Sequence, residues 1–298
     1  MDGASDASAD LAKRPSSLSS RLASVAVLIP AIVVAGWWPP ATALAVAIAV
    51  ILGIVELFAL LRQGGFAPRL GPGIALGLAL VLVAFLRPVI GYDLTGLALT
   101  LGVALTLAYE LLPRDRSASL QSWALTFTGA IYIGWLLSTF ILLHQIDAPL
   151  GRGLLAPLRI PSGTAWLFLV LAITWLQDSA AYFVGRSLGR TKMAPVLSPK
   201  KTWEGFAGGM AISVLTAVAA VPLLGLPIGY LAATLIGLAA GIAGPLGDLG
   251  ESLIKRQLGV KDSGTLIPGH GGILDRMDSL LFTAPVVYYG ALLALALA

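Results

Sequence analysis

Cysteine is absent from this chain of 298 residues, and histidine occurs only twice. Without a thiol the protein can form no disulfide, thiolate nucleophile or zinc–thiolate centre. Charged residues are also scarce, at 11% of the sequence, whereas hydrophobic residues make up 57% and the mean hydropathy is +0.90. This balance excludes an ordinary soluble domain and is typical of a polytopic membrane protein.

The small excess of positive charge has a simple explanation in a membrane protein. Lysine and arginine total 19 against 15 acidic residues, a net charge of +4, and basic residues in such proteins serve first to orient the spans. We therefore predict no nucleic-acid partner. Residues 1–20 are small and polar with few apolar side chains, which predicts a disordered cytoplasmic tail ahead of one integral membrane domain at 21–298.

Apolar stretches of the length that crosses a bilayer, about 20 residues, recur along the chain. We predict nine spans, at about 22–38, 41–61, 72–90, 94–112, 121–143, 163–185, 204–224, 228–247 and 274–296. The first apolar run is too long for a signal peptide and lacks a small-residue cleavage site, so we expect it to be retained. The predicted fold class is all-α, a multi-pass membrane protein of about nine transmembrane helices.

The distribution of basic residues orients these spans. With a cytoplasmic N-terminus, only Arg87, Arg152 and Arg159 of the 19 lysines and arginines fall outside, and the other 16 fall inside. This is a strong positive-inside bias. The same topology places seven acidic residues in the inner half of the membrane or at its edge, namely Glu56, Glu110, Asp178, Glu204, Asp248, Asp275 and Asp278. The pattern predicts a polar cavity on the cytoplasmic side.

Two of these acids lie at the ends of predicted spans and are our candidate metal ligands. Asp248, Glu251, Ser252 and Lys255 follow one another at helical spacing and give one polar face, which in its simplest interpretation is a solvated helix end with an internal salt bridge. An unpaired carboxylate beside an apolar run is costly, however, so Asp248 favours a bound cation. Asp275 begins the last span, and hard carboxylate oxygens suit Mg²⁺.

The intramembrane acid Asp178 is a third candidate metal ligand, or a partner for a lysine. Asp278 is open to a simpler role as a helix first-turn stabiliser. Glu56 and Glu110 are left outside the core site, because each could pair with an arginine near its own helix end, Arg62 or Arg114.

Basic and polar side chains crowd around these acids. They are candidates for phosphate contacts, with lipid-headgroup anchoring as the alternative, since Arg and Lys near a membrane commonly do either. Lys200 and Lys201 precede a span whose N-terminus favours anions, with Thr202 as a candidate N-cap. His270 lies among glycines and either donates a hydrogen bond to a phosphate oxygen or has a structural role. The substrate-binding candidates are Ser198, Lys200, Lys201, Arg256, Lys261, His270 and Arg276, and the catalytic candidates are Asp248, Lys255 and Asp275.

The segment "SLIKRQLGVKDSGTLIPGHGGILDRMD", residues 252–278, closely resembles the signature of the phosphatidate cytidylyltransferases, also called CDP-diacylglycerol synthases. That signature runs S-x-x-K-R-x4-K-D-x-G/S/A-x2-L/I/F-P/G-x-H-G-G-x-x-D-R-x-D. The upstream stretches "QDSAAYFVG" and "SPKKTWEG" resemble the family's other polar segments, in the expected order. The resemblance covers the chain from about residue 20 to its end.

The resemblance implies that CTP and phosphatidate give CDP-diacylglycerol and pyrophosphate, with Mg²⁺, and K⁺ beside it, held at Asp248 and Asp275. It also implies a site facing the cytoplasm of the inner membrane, and a homodimer. The alternatives are a CTP-dependent lipid kinase and a cytidylyltransferase for another lipid phosphate. A secondary transporter would need polar access from both sides near the midplane, and the outward halves of these spans offer almost none.

Overall fold

The structure is a computed structural model that describes residues 34–112, 117–264 and 272–297. Within these ranges the chain is a bundle of apolar helices. The helices are α1 (Pro39–Gln63), α2 (Leu70–Ile90), α3 (Thr95–Tyr109), α4 (Ser119–Ala130), α5 (Leu136–His144), α6 (Ser162–Leu188), α7 (Trp203–Leu224), α8 (Tyr230–Gln257) and α9 (Leu274–Ala296). A π-helical turn, Ile131–Trp135, joins α4 to α5, and a single 3₁₀ turn, Ala156–Leu158, precedes α6.

Seven helical segments of the described chain are long and apolar enough to cross a membrane, with α4, the π-helical turn and α5 counting as one span. The predicted multi-pass helical character is therefore confirmed. Helix α3 has 15 residues, about 22 Å at 1.5 Å per residue, and is shorter than the hydrocarbon core of about 30 Å. Most of the predicted first span, at 22–38, and the predicted tail at 1–20 lie outside the described residues, so the count of nine stays a prediction.

The predicted all-α fold class is confirmed, and the one extended part of the described chain lies in the long polar connection between α6 and α7. Strands β1 (Lys192–Ala194) and β2 (Ser198–Thr202) pair antiparallel. Pro195 and Pro199 disfavour helix here. The hairpin is fastened to the start of α7, where the Glu204 carboxylate accepts hydrogen bonds from the backbone N–H groups of Arg190 and Thr191.

The last four helices pack on one another in chain order, α6 on α7, α7 on α8 and α8 on α9. Glycines allow these close approaches, as small residues commonly do between membrane helices. A Cβ on Gly205 would lie 2.7 Å from the carbonyl oxygen of Ala181 on α6, and one on Gly237 would lie 2.7 Å from Val214 on α7. A Cβ on Gly247 would overlap the carbonyl oxygen of Asp278 on α9. The acids on α8 and α9 are thereby brought together.

Several polar contacts between helices lie at the two ends of the bundle. At one end, Arg87 on α2 donates to the buried hydroxyl of Tyr288 on α9 at 2.8 Å, and Gln145 donates to the carbonyl of Ala84 at 2.7 Å. The other end holds the contacts of Glu56, Lys201, Lys255 and Asp275. A large apolar core separates the ends, with Phe58 and Trp166 fully buried in it. The candidate site belongs to the second end.

Candidate active site

Lys255 links helices α8 and α9 at the centre of the site. Its ammonium group lies 2.6 Å from Asp275 Oδ1 and 3.0 Å from Glu251 Oε1, and its side chain is 12% exposed. The polar face predicted on the continuation of α8 is confirmed, since α8 runs to Gln257. The simple picture of a solvated helix end is wrong, however, because Glu251 is 2% exposed. Lys255 is therefore a buried cation held between two carboxylates, and removing any one of the three groups would leave a buried charge without its partner.

The carboxylate of Asp275 is held from every side by protein donors. Its Oδ2 atom accepts three hydrogen bonds of 3.0 Å, from the backbone N–H and the hydroxyl of Ser263 and from the N–H of Gly272, while Oδ1 faces Lys255. A side chain at position 272 would overlap the Ser263 hydroxyl. At Gly272, therefore, the glycine-rich segment lets backbone amides approach a carboxylate of the protein itself.

Asp248 lies one turn before Glu251 on α8 and is bound less completely. Lys201 on β2 approaches Asp248 Oδ2 at 2.7 Å as an ion pair, while the hydroxyl of Ser252 stands 3.4 Å from Oδ1. The Asp248 side chain is 33% exposed, against 12% for Asp275. Alternation along a strand places neighbours on opposite faces, so Lys200 is exposed while Lys201 reaches the acid. Of the two lysines predicted to contact phosphate, only Lys201 therefore contacts an acid of the site, and Lys200 faces away from it.

Asp178 on α6 and Asp278 on α9 complete the acidic group. Each interacts electrostatically with Asp248, and Asp178 also interacts with Lys201. Asp278 lies in the second turn of α9, after Asp275 in the first. Of the three predicted metal candidates, Asp178 and Asp248 thus lie near each other, whereas Asp275 is bound to Lys255.

The remaining predicted substrate contacts form a basic rim. Arg256 donates to the carbonyls of Leu197, in the hairpin, and Val260, at 3.3 and 3.1 Å, which ties the end of α8 to the hairpin. Lys261 and Arg276 are exposed. Ser198 begins β2, beside the same hairpin turn, and Thr202 is the N-cap of α7, as predicted, accepting from the N–H of Gly205. His270 lies outside the described residues.

The predicted pairing of Glu56 with Arg62 is wrong. For Glu110, which was predicted to pair with Arg114, the described part of the chain shows another partner. Glu56 accepts the backbone N–H groups of Ile273 and Leu274 at the start of α9. Glu110 binds the guanidinium of Arg69 through both oxygens, at 2.9 and 2.8 Å, and also accepts from Ser122. The Arg69 guanidinium holds the pKa of Glu110 below its ordinary value.

Comparison with known proteins identifies the family. The model of the cytidylyltransferase family matches residues 19–293, and phosphatidate cytidylyltransferase of Synechocystis sp. is 37% identical over 289 residues, covering 93% of this chain and 96% of the relative. This chain belongs to the cytidylyltransferase family. The cytidylyltransferase is also 39% identical to phosphatidate cytidylyltransferase of Bacillus subtilis over 245 residues, covering 80% and 85% of the two chains. It is 44% identical to phosphatidate cytidylyltransferase of Brucella suis over 135 residues, which cover 45% of this chain and 50% of the relative.

The two predicted Mg²⁺ ligands of this cytidylyltransferase differ in how well their surroundings suit a metal. The described residues bring no three histidines or acids into one metal-holding group, but Mg²⁺ usually takes one or two carboxylates and leaves its other positions to water and substrate phosphates. Asp248 has the more accessible carboxylate. Asp275 has Lys255 on Oδ1 and three donors on Oδ2, so it would bind a metal only by sharing Oδ1 with that lysine or releasing it.

Besides Glu56, sequence reasoning missed three residues that the fold brings to the site. Glu251 was seen only as part of a polar face, and Ser263 occupies a position that the signature leaves open. Tyr132 lies in the π-helical turn between α4 and α5, its hydroxyl is buried without a hydrogen-bond partner in the described chain, and it interacts electrostatically with Glu251 and Asp278. Such π-helical turns occur often at functional sites, but no sequence pattern marks this one.

Proposed function

We propose that this cytidylyltransferase transfers CMP from CTP to phosphatidate, giving CDP-diacylglycerol and pyrophosphate in phospholipid biosynthesis. The observation that carries the proposal is the meeting of two lysine–carboxylate contacts at one end of a membrane bundle, Lys201 with Asp248 and Lys255 with Asp275. The relatives that match most of the chain are phosphatidate cytidylyltransferases by name, which supports the same substrates here.

The chemistry suits these groups. The phosphate of phosphatidate is largely ionised near neutral pH, so its attack on the α-phosphorus of CTP needs no strong base. The reaction needs alignment and neutralisation of negative charge, as phosphoryl-type transfers generally do. Lys201 and Lys255 supply fixed cations beside the acids, and Arg256, Lys261 and Arg276 form the outer basic rim. Mg²⁺, bound at Asp248 with Asp275 as the second candidate ligand, would add positive charge beside the polyphosphate.

The surroundings of the site suit a substrate that is half lipid. Large apolar side chains next to the acids face outward, with Leu246 51% exposed, Leu253 45% exposed and Leu176 51% exposed. Acyl chains can therefore stay in the bilayer while the headgroup reaches the basic rim. The positive-inside bias supports a site that faces the cytoplasm from the inner membrane. The homodimer and the additional K⁺ rest on the family resemblance.

The test is product analysis with purified protein in detergent. We expect CTP labelled at the α-phosphate, phosphatidate and Mg²⁺ to give labelled CDP-diacylglycerol and free pyrophosphate. Release of labelled CDP would instead identify a lipid kinase, and turnover only with another lipid phosphate would reassign the substrate. Asp248→Asn and Asp275→Asn should each lower turnover by about 100-fold or more, as loss of a charge-stabilising group commonly does. The matched control is Asp147→Asn, an exposed acid between α5 and α6, which should keep full turnover.

A further inference from the structure

We propose that Glu56, on the first described helix, is a positioning residue for Asp275. It holds the start of α9 and the hydroxyl of Ser263 in the arrangement in which Asp275 meets Lys255. This inference rests on the cytidylyltransferase activity proposed above and extends the site into the N-terminal half of the chain. Glu56 itself is only 6% exposed.

Glu56 makes three contacts with residues that lie beside Asp275. Its Oε1 accepts the N–H of Ile273 at 2.9 Å, and its Oε2 accepts the N–H of Leu274 at 3.0 Å and the hydroxyl of Ser263 at 3.3 Å. The carboxylate thus supplies the N-terminal cap of α9, where the N-cap residue, Ile273, has no side chain that could do so. Negative charge at this position also suits the helix dipole.

The hydroxyl of Ser263 connects the two carboxylates. It lies 3.3 Å from Glu56 Oε2 and 3.0 Å from Asp275 Oδ2, while the backbone N–H of Ser263 donates to the same Asp275 oxygen. A serine hydroxyl has one proton, so the two acids share a single donor. Any displacement of Glu56 therefore changes the hydrogen bonding of Asp275 directly.

The space around Glu56 is shaped for a carboxylate. A Cβ on Gly264 would lie 2.9 Å from Glu56 Oε1, and one on Gly272 would lie 2.6 Å from Oε2. Gly264 directly follows Ser263, and Gly272 itself donates to Asp275. An ordinary helix cap needs only a serine, threonine, aspartate or asparagine next to the helix, whereas here the cap comes from 217 and 218 residues away along the chain. The arrangement makes α1 part of the active site.

The experiment compares Glu56→Gln with a matched control, Glu110→Gln. Glu110 is also a buried acid, 3% exposed, but it binds Arg69 and Ser122 and makes no contact with the residues around Asp275 in the described chain. We expect Glu56→Gln to lower kcat by about tenfold or more, the effect of losing hydrogen bonds to a charged group, with the KM for CTP changed less than about twofold. Glu110→Gln should lower the thermal midpoint at least as much and leave kcat unchanged. Equal loss of kcat in both variants, or kcat within twofold of wild type in Glu56→Gln, overturns the proposal.

A double-mutant cycle with Ser263→Ala tests the route through the shared hydroxyl. Because the effects of interacting residues are not additive, the fall in kcat of Glu56→Gln/Ser263→Ala should be smaller than the product of the two single falls. A loss equal to the product of the two single losses overturns the route. Should Glu56→Gln not fold, Ser263→Ala decides alone: a threefold or greater fall in kcat supports the proposal, and an unchanged kcat overturns it.

Hydrogen–deuterium exchange separates this inference from the proposed function. If wild-type protein makes no CDP-diacylglycerol, the proposed function fails, and the exchange of peptides covering 258–264 and 272–280 still tests the tie to Glu56. Faster exchange there in Glu56→Gln, with no change in Glu110→Gln, supports the positioning role. Equal exchange in wild type and both variants overturns it.

Discussion

Lys255 offers the clearest separation of stability from catalysis. Its ammonium group is the ion-pair partner of Glu251, and the Glu251 side chain is 3% exposed while that of Lys255 is 12% exposed. Lys255→Met keeps the apolar stem but leaves two carboxylates without their cation. Removing one partner of a buried ion pair costs about 3–5 kcal/mol, and we expect a loss of that size in the free energy of unfolding.

The second variant, Lys255→Met/Glu251→Gln, removes the buried negative charge as well. It should recover more than half of the lost stability, because the largest part of the cost is the unpaired Glu251 carboxylate. Turnover should not recover, since Asp275 still lacks the cation at 2.6 Å from its Oδ1. We expect CDP-diacylglycerol formation to stay at least about 100-fold below wild type in both variants.

The assays are thermal or SDS-induced unfolding in detergent micelles and the CDP-diacylglycerol assay. Lys192→Met, at an exposed position of β1, controls for the loss of a surface lysine and should change neither quantity. Two results would refute the reasoning: Lys255→Met as stable as wild type, or a double variant that regains turnover. The first result would mean that the buried Glu251 carboxylate does not need the Lys255 cation. The second would mean that the reaction does not need it.

Three further predictions follow from other contacts. Arg69 holds the pKa of Glu110 below its ordinary value, so this ion pair stabilises the fold at neutral pH. The stabilisation is lost as the pH falls below about 4.3 towards the folded-state pKa. The difference in thermal midpoint between wild type and Glu110→Gln should therefore become smaller at low pH, and a difference that stays constant would contradict this. Gly247→Ala places a methyl group against the backbone of α9 and should destabilise the protein by about 1–3 kcal/mol, whereas Gly250→Ala, with open space at its Cβ, should not. Chelation of Mg²⁺ by EDTA should abolish turnover and added Mg²⁺ should restore it; turnover that persists in EDTA would remove the metal from the proposal.

Hydrophobic pattern and local rules predicted much of the fold. Long apolar runs specify membrane helices because a helix satisfies its own backbone hydrogen bonds within the segment, so the spans at 204–224 and 274–296 match α7 and α9 closely. The N-cap at Thr202 and the extension of α8 past Asp248 were also predictable, since both depend on neighbours within one or two helical turns. The hairpin was not predicted, because its strands are short and lie in a polar loop.

The amino-acid sequence by itself determined that this is a membrane protein with acids and bases collected at one end, and its signature marked the segment that carries Asp275. Only the tertiary structure decided which charges meet. Lys201 pairs with Asp248 while Lys200 stays exposed, and Glu56 caps a helix more than 200 residues later. Hydropathy and capping depend on neighbours along the chain, whereas these pairings depend on how each helix is rotated against the next, which the packing of glycines and apolar side chains fixes.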